Sequence, residues 1–394
     1  MAAEVLAAGG LTVDVFEHMP SVGRKLLLAG RGGLNITHSE PTDVLLARYG
    51  AASLRLAASI ESFDAAALRA WCAGLGEATF VGSSGRVFPQ SFRATPLLRS
   101  WLRRLDEMGV RLHTRHRWLG WAEGSDGRPD QHSLRMRVPD GTESIERAAV
   151  TVLALGGASW PRVGSDGGWV ATLRAAGVEV TDLRAANSGL RITWSADFAE
   201  RFAGVPLKNV SISVVGESGV RGDAMVTTSG LEGGPVYAVG AAVRRLLDEG
   251  AATLSIDLHP DLSVAQLAAR LAARRPKDSL STVLRRAGFA PVAVALMREA
   301  TANALPTDAA ALAALAKATP LVVADTMPLE RAISTAGGVC FAEVDDDFML
   351  RKLPSTYVVG EMLDWEAPTG GYLLQATFST AIAAAKGALR HVDR

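Results

Sequence analysis

The sequence predicts an α/β fold interrupted by an insertion that is first β-rich and then helical. Three observations predict it. The chain opens on a helix-to-strand passage, "AAEVLAAGGLTVDVFE". The segment "AVTVLALGG" is a short apolar strand ending on two glycines, the pattern of a buried parallel strand. A strand, a glycine turn and a small-residue helix return near the end in "YVVGEMLDWEAPTGGYLLQATF", so the end of the chain resembles its beginning while the middle does not. The resulting division is 1–186, 187–333 and 334–394, the first and last forming one domain. The insertion is read as β-rich over 187–260 and helical over 261–333. A chain of 394 residues is long enough for two or three domains with sizeable cores.

The elements follow in order. Ala2 to Ala8 reads as a helix closed by Gly9-Gly10, and Leu11 to Glu17 as a strand ending on an acid. "VLLARYGAASLRLAASIESFDAAALRAWCAGLG" is helical, with Ser62 or Asp64 as a cap inside it. "TPLLRSWLRRLDEMG" is an amphipathic helix with Thr95 as its cap and Pro96 in the first turn. "GVRLHTRHRWLGWAE" and "HSLRMRVPDGTESIERAAV" read as strands around the polar loop "GSDGRPDQ". Beyond Asn187, "LRITWS", "VSISVVGE" and "ATLSIDLHP" are strand-like. From Asp261 to about Ala332 the chain is Ala/Leu/Arg-rich and reads as helical, punctuated by Pro276, Pro291, Pro306 and Pro320.

Composition narrows the functional classes. Formal net charge is zero, which gives no general electrostatic case for nucleic acid or an anionic membrane. The two cysteines, Cys72 and Cys340, lie far apart with no Cys/His ligand spacing, so no metal site is expected and a reducing cytoplasm suits the chain. No apolar run approaches the roughly 20 residues of a membrane helix. The expected partner is a small-molecule substrate, and the sequence leaves the oligomeric state open.

The chemistry sits at strand ends, because ligands of open parallel sheets bind beyond the carboxyl ends of the strands. Glu17 ends such a strand. A carboxylate there can accept both hydroxyls of an adenosine ribose, and its glycine loop is expected about 20 residues upstream, before Met1. "GRKLLLAGRGGLNITHSE" places glycines beside Arg24, Lys25 and Arg31, a set that suits an anion and equally a turn-rich loop. Gly156-Gly157 in "LALGGASWPRVGSDGG" allow a close passage of chain over a ligand, or a tight turn. The helix beginning near Tyr372 directs free amides and a positive dipole at whatever precedes it, which suits the pyrimidine edge of a flavin. Glu361 is placed to accept a ribityl hydroxyl.

Four segments carry a resemblance across nearly the whole chain: "GRKLLLAGRGGLNITHSE", "GRVFPQSFRATPLLRSWLRRL", "LALGGASWPRVGSDGGW" and "VGEMLDWEAPTGGYLLQATFS". With them the chain resembles the BaiN-like family of bacterial NAD(P)/FAD-dependent oxidoreductases. The resemblance implies an FAD-binding Rossmann-like domain of the glutathione-reductase-like two-dinucleotide superfamily, with an inserted β-barrel-like plus helical domain. It implies FAD as cofactor and NAD(P)H as a transient electron donor. By position it assigns Glu17 to the adenosine ribose, and Arg24 and Lys25 to the adenosine and pyrophosphate. Gly30, Gly33 and Asn35 would line the flavin, and Trp118 would meet adenine through its backbone. Gly156 and Gly157 would lie where the chain crosses the cofactor, Gly360 and Glu361 at the ribityl chain, and Gly370, Gly371 and Tyr372 at the isoalloxazine. No catalytic residue is assigned.

Two departures from the family pattern stand out. Many relatives carry an Arg-Cys pair before the asparagine matched by Asn35, where this chain has Gly33-Leu34. The family's first strand and GGGxAG loop have no counterpart. A central strand contributes ~1.5–3 kcal/mol per buried side chain, against ~5–15 kcal/mol for a whole domain. A chain without it is expected to fold poorly and bind FAD weakly. The expectation is therefore a misassigned start, with about 15–20 further residues preceding Met1.

The expected reaction is reduction of a conjugated or keto small molecule with NAD(P)H, in which the flavin supplies the hydride chemistry. No second GxGxxG is present for a separate nicotinamide domain. Trp160, Trp194, Tyr237 and Trp365 are read either as apolar pocket walls or as plain core, and His38 either as a proton carrier or as a surface histidine. Two rival functions remain: a cofactor-deficient remnant without activity, and an RNA-modifying flavoprotein of related fold.

Overall fold

The computed structural model describes residues 1–125, 127–273 and 278–393, with Arg31 described in its backbone only; Pro276, and Asp126 of the polar loop, lie outside the described residues. The chain divides into two compact units, one of residues 1–184 and 334–394, the other of residues 185–333.

In the first unit, hydrophobic segments too short to stand alone pair in parallel. Asp14–Glu17 lies beside Arg111–Thr114, with Glu17 opposite Thr114. Thr151–Leu153 lies beside Thr356–Val358. Parallel pairing puts the C-terminal ends of these strands, Glu17, Leu153 and Val358, at the mouths of connecting loops. The stretch "RLHTRHRW", expected as one strand, is two: Arg111–Thr114 ends and Arg117–Glu123 begins a separate antiparallel sheet. Arg115, held at φ 61°, makes the break.

The long helix Tyr372–Val392 buries a face of small residues, among them Ala376, Ala384, Ala385 and Ala388. Small side chains let the helices Ala2–Ala8 and Ser53–Ser62 come close to it. At Gly9 a Cβ would stand 2.4 Å from Leu389 Cδ2, so the first helix ends where the last one passes. Glu4 on that first helix accepts hydrogen bonds from Trp71 Nε1 (3.1 Å), Trp101 Nε1 (2.9 Å) and an Arg104 guanidinium nitrogen (2.8 Å). One half-buried carboxylate thus clasps three helices. Asp64 is the cap expected from the sequence, accepting from Ala67 N at 2.8 Å. Thr95 is not a cap: the helix runs Ala94–Glu107, and Arg93 precedes it with no side-chain cap.

The second unit is built on an antiparallel sheet with alternating burial. Along Pro206–Val214, Leu207, Val210, Ile212 and Val214 point inward. Among the described residues the strand order is Thr319–Val323, Ala252–Asp257, Pro206–Val214, Val220–Thr227, Gly230–Glu232, Leu190–Arg191, Asp325–Thr326. The first and last members of that order are joined by Ala324 alone, so the sheet closes on itself as a barrel. Helices cover it: Val264–Ala272, opened by a capping box of Ser263 and Gln266, then Leu280–Arg286, Pro291–Ala300 and Ala309–Lys317. The region expected to be helical as far as 333 is helical only to Lys317; the strands at 319–326 return to the barrel. Pro320, expected to break a helix, lies in a strand that pairs with Ala252–Asp257 on one side, where its missing N–H is tolerated.

Candidate functional site

In the first unit, a carboxylate and an ammonium meet at the end of the Thr356–Val358 strand. Glu361 Oε2 accepts from Lys25 Nζ at 2.7 Å and from Gly157 N at 3.3 Å, and its Oε1 accepts from Thr335 N at 2.9 Å. Lys25 Nζ also donates to Ser159 Oγ at 2.8 Å and reaches Ser165 Oγ at 3.5 Å. Lys25 is in the first turn of the helix Arg24–Ala29, which Gly23 opens at φ 69°. Gly157 has a specific reason to be glycine: a Cβ there would lie 2.2 Å from Thr335 Oγ1. Its neighbour Gly156 adopts φ 71°. Charge-assisted hydrogen bonds of this kind contribute ~1.5–3 kcal/mol each when shielded from water.

The same loop reaches Glu17. A Cβ on Gly164 would stand 3.0 Å from Met19 Cγ and 3.8 Å from Glu17 Oε1, and Ser165 follows directly. Glu17 Oε1 accepts from Met19 N at 2.8 Å, while its Oε2 has no partner among the described residues. His116 N donates to the Glu17 carbonyl at 3.0 Å, two residues before Trp118. Residues 154–168 therefore run from the Lys25–Glu361 pair to the Glu17 carboxylate, on the side of its bonded Oε1. Arg24 reaches Ser21 Oγ at 3.1 Å and leaves its Nε buried without a partner, as Trp118 leaves its Nε1.

The third part is the start of the long helix. Gly370 and Gly371 have φ 141° and 97°, and a Cβ on Gly371 would lie 2.5 Å from the Thr37 carbonyl oxygen. No side chain caps this helix. Gly360, at φ 65°, donates its amide to Thr380 Oγ1 of the same helix at 3.1 Å, which fixes Glu361 relative to it. The Tyr372 ring is packed inside, stacked on His38 with centroids 5.3 Å apart, and its hydroxyl donates to Glu40 Oε1 at 2.8 Å. Glu40 in turn takes two bonds from Arg48, at 3.0 and 2.9 Å. That pairing, with the Tyr372 hydrogen bond, holds the Glu40 carboxyl below its ordinary range although burial opposes it, and burial with the Glu40 contact pushes the Tyr372 phenol up. Only the Tyr372 backbone is left for a ligand. Gly33 (φ 108°) packs on Phe92 and Gly30 on Ala94, where a Cβ would be 2.7 Å away. Asn35 Oδ1 is buried without a partner, and Leu34 is core at 1% exposure.

The structure thus puts Lys25, Gly156, Gly157 and Glu361 in one contact set and joins Glu17 to it through one loop. It ties Gly360, through Thr380 in the third turn, to the helix that Gly370–Tyr372 opens. Ser159, Ser165 and Thr335 belong to the same set and were not singled out from sequence, although Ser159 and Ser165 lie inside the glycine segment 153–168 and Thr335 stands just before Gly337-Gly338. His38 is partly exposed but held: its Nε2 lies 3.0 Å from Ser84 O, and its Nδ1 accepts from Glu40 N at 3.2 Å. Trp365 is core, donating to Gly360 O at 2.8 Å, whereas Trp160 is 37% exposed.

A dinucleotide fits this donor set. It brings ribose hydroxyls, a pyrophosphate and a heteroaromatic edge. The chain offers a spare carboxylate oxygen, an ammonium beside backbone amides, orphaned buried donors at Arg24 and Trp118, an orphaned acceptor at Asn35 and an uncapped helix start. Among the described residues no group of three or more His, Cys, Asp or Glu side chains is placed to hold a metal ion.

Comparison with known proteins agrees with the fold. A 3-dehydro-bile acid delta(4,6)-reductase of Clostridium scindens is 25% identical over 396 residues, covering 96% of this chain and 93% of that protein. Among solved structures, a 3-ketosteroid delta1-dehydrogenase from Sterolibacterium denitrificans superposes with a TM-score of 0.55 at 14% identity, covering 99% of this chain and 97% of the other. A flavocytochrome c3 fumarate reductase superposes with a TM-score of 0.52 at 14% identity, covering 99% and 76%. The model of the HI0933-like protein Rossmann domain matches residues 1–387. With its FAD-binding Rossmann-like fold and a match over nearly its whole length, the chain belongs to the HI0933-like Rossmann family.

Proposed function

We propose that this protein is an FAD-dependent oxidoreductase that reduces a conjugated or keto small molecule with NAD(P)H as a transient donor. One observation carries the cofactor assignment: the loop whose Gly157 amide, Ser159 and Ser165 contact the Lys25–Glu361 pair also reaches the Glu17 carboxylate. Glu17 Oε2 holds a ribose hydroxyl, Lys25 and the adjacent amides neutralise the pyrophosphate, and Glu361 accepts from the ribityl chain. The amides that open the Tyr372–Val392 helix face the electron-rich edge of the ring system. Asn35 fixes that edge through its otherwise unpartnered oxygen. When bound, the flavin supplies hydride transfer.

For the substrate class, the name of the C. scindens relative supports a conjugated oxo compound, an acceptor that takes a hydride at carbon and a proton nearby. Among the described residues no second glycine-rich dinucleotide turn is present, so the nicotinamide docks and leaves rather than occupying a domain of its own. The test is anaerobic reduction of the purified protein. Loss of the flavin's visible absorbance on adding NADH or NADPH, and its return on adding an enone, support the reading. A protein whose flavin neither nucleotide reduces would sink the donor assignment.

A further inference from the structure

Within the second unit a cavity of about 250 Å³ is lined by Glu232, Tyr237, Arg331, Met327, Gly189 and Thr228, among others. Its polar groups come from separate elements. Glu232 ends the strand Gly230–Glu232, Tyr237 sits in the short helix Gly234–Ala238, and Arg331 ends the turn Leu329–Arg331. Gly189 makes room for them, since a Cβ there would stand 2.7 Å from Glu232 Cγ and 2.9 Å from Met327 Cγ. Among the described residues, neither the Glu232 carboxylate nor the Arg331 guanidinium has a hydrogen-bond or ion-pair partner, and the Tyr237 hydroxyl proton has no acceptor. Burial first, then the charge of Glu232, pushes the Tyr237 phenol up, against the Gly233 amide beside it. Tyr237 is therefore a donor throughout the ordinary pH range.

A half-buried carboxylate and a half-buried phenol line this open pocket beside the exposed Arg331, and with no partner among the described residues they are free to meet a ligand. Their charges offset, so the volume suits a neutral molecule. Its size admits one ring, the oxygenated end of a larger compound. We propose that this cavity recognises the oxo group of a neutral carbonyl compound, whose oxygen accepts from Tyr237 and Arg331. Glu232 repels carboxylates and so sets the specificity for ketones over acids. Calling this ligand the substrate rests on the oxidoreductase reading; the existence of the site does not.

The test is ligand-observed saturation-transfer NMR on the full chain, with cyclohexanone and cyclohexanecarboxylate as probes. Flavin content is read separately from visible absorbance. Cyclohexanone binds the unaltered protein and the carboxylate binds at least about tenfold more weakly. Tyr237→Phe weakens cyclohexanone binding about fivefold, and Glu232→Gln tightens the carboxylate about tenfold. Thr228→Trp, a change at an exposed rim position that leaves the core untouched, abolishes both. Equal binding of the two probes to the unaltered protein, or binding indifferent to Thr228→Trp, overturns the proposal. Tyr-dependent binding in a colourless protein leaves this site standing while the cofactor assignment falls. A reducible flavin with no cyclohexanone signal does the reverse.

Discussion

Gly371→Ala tests why the last helix starts where it does. Gly371 has φ 97°, and a Cβ would meet Thr37 at 2.5 Å from its carbonyl oxygen and 2.6 Å from its carbonyl carbon and Cα. Those are backbone atoms and cannot swing away. Thr37 is held further by its pairing with Val87 and by a 2.6 Å hydrogen bond from its hydroxyl to Gln375 Oε1. The left-handed backbone costs ~1–2 kcal/mol for alanine, and overpacking adds ~1–3 kcal/mol, about 2–5 kcal/mol together. Gly10 is the control: its φ is 86°, but a Cβ there meets nothing within 4 Å, so Gly10→Ala carries the conformational cost alone. With each kcal/mol worth about 2–4 °C in a unit of this size, calorimetry should show Gly371→Ala melting about 4–20 °C lower and Gly10→Ala about 2–8 °C lower. Two variants that melt together would refute the claim that the crossing over Thr37 demands glycine.

Glu4→Ala orphans two indole N–H groups and a guanidinium, and should lower stability by about 2–5 kcal/mol in urea unfolding; an unchanged midpoint would show that the clasp is idle. The Glu40 carboxyl lies below its ordinary 4.5, chiefly through Arg48, so its stabilisation is present above about pH 4.5 and is lost as pH falls through the folded value. Glu40→Gln should therefore flatten the acid limb of stability against pH, and superimposable acid limbs would contradict this. Cys72 is fully buried, with its thiol pushed up to about 12 by burial, whereas Cys340 is partly exposed beside Thr181 Oγ1 at 3.4 Å. A thiol reagent should count one group in the native protein and two in denaturant.

The sequence disclosed the parts of the fold that local patterns encode. The Asp64 cap, the run into Leu153 with its two glycines, and the glycine turn before Tyr372 are each legible within a dozen residues. What stayed hidden is non-local or unpatterned. Lys25 and Glu361 are 336 residues apart, and nothing in either segment names the other. Ser159, Ser165 and Thr335 sit in loops, where hydroxyl residues carry no periodic signal. Thr319–Val323 follows an alanine-rich helix and contains a proline, so local propensity pointed away from the strand that closure of the barrel requires. Arg115 splits one apparent strand into two through a left-handed conformation that an arginine rarely adopts.

On the proposed reading, the first unit holds FAD across Glu17, Lys25 and Glu361. The most direct measurement is calorimetric titration of the flavin-free protein with FAD, for the unaltered chain and for Lys25→Met. One FAD per chain, held about tenfold more weakly by Lys25→Met as a lost charge-assisted contact requires, is the predicted result. No saturable FAD binding, or equal affinity in both proteins, would contradict it.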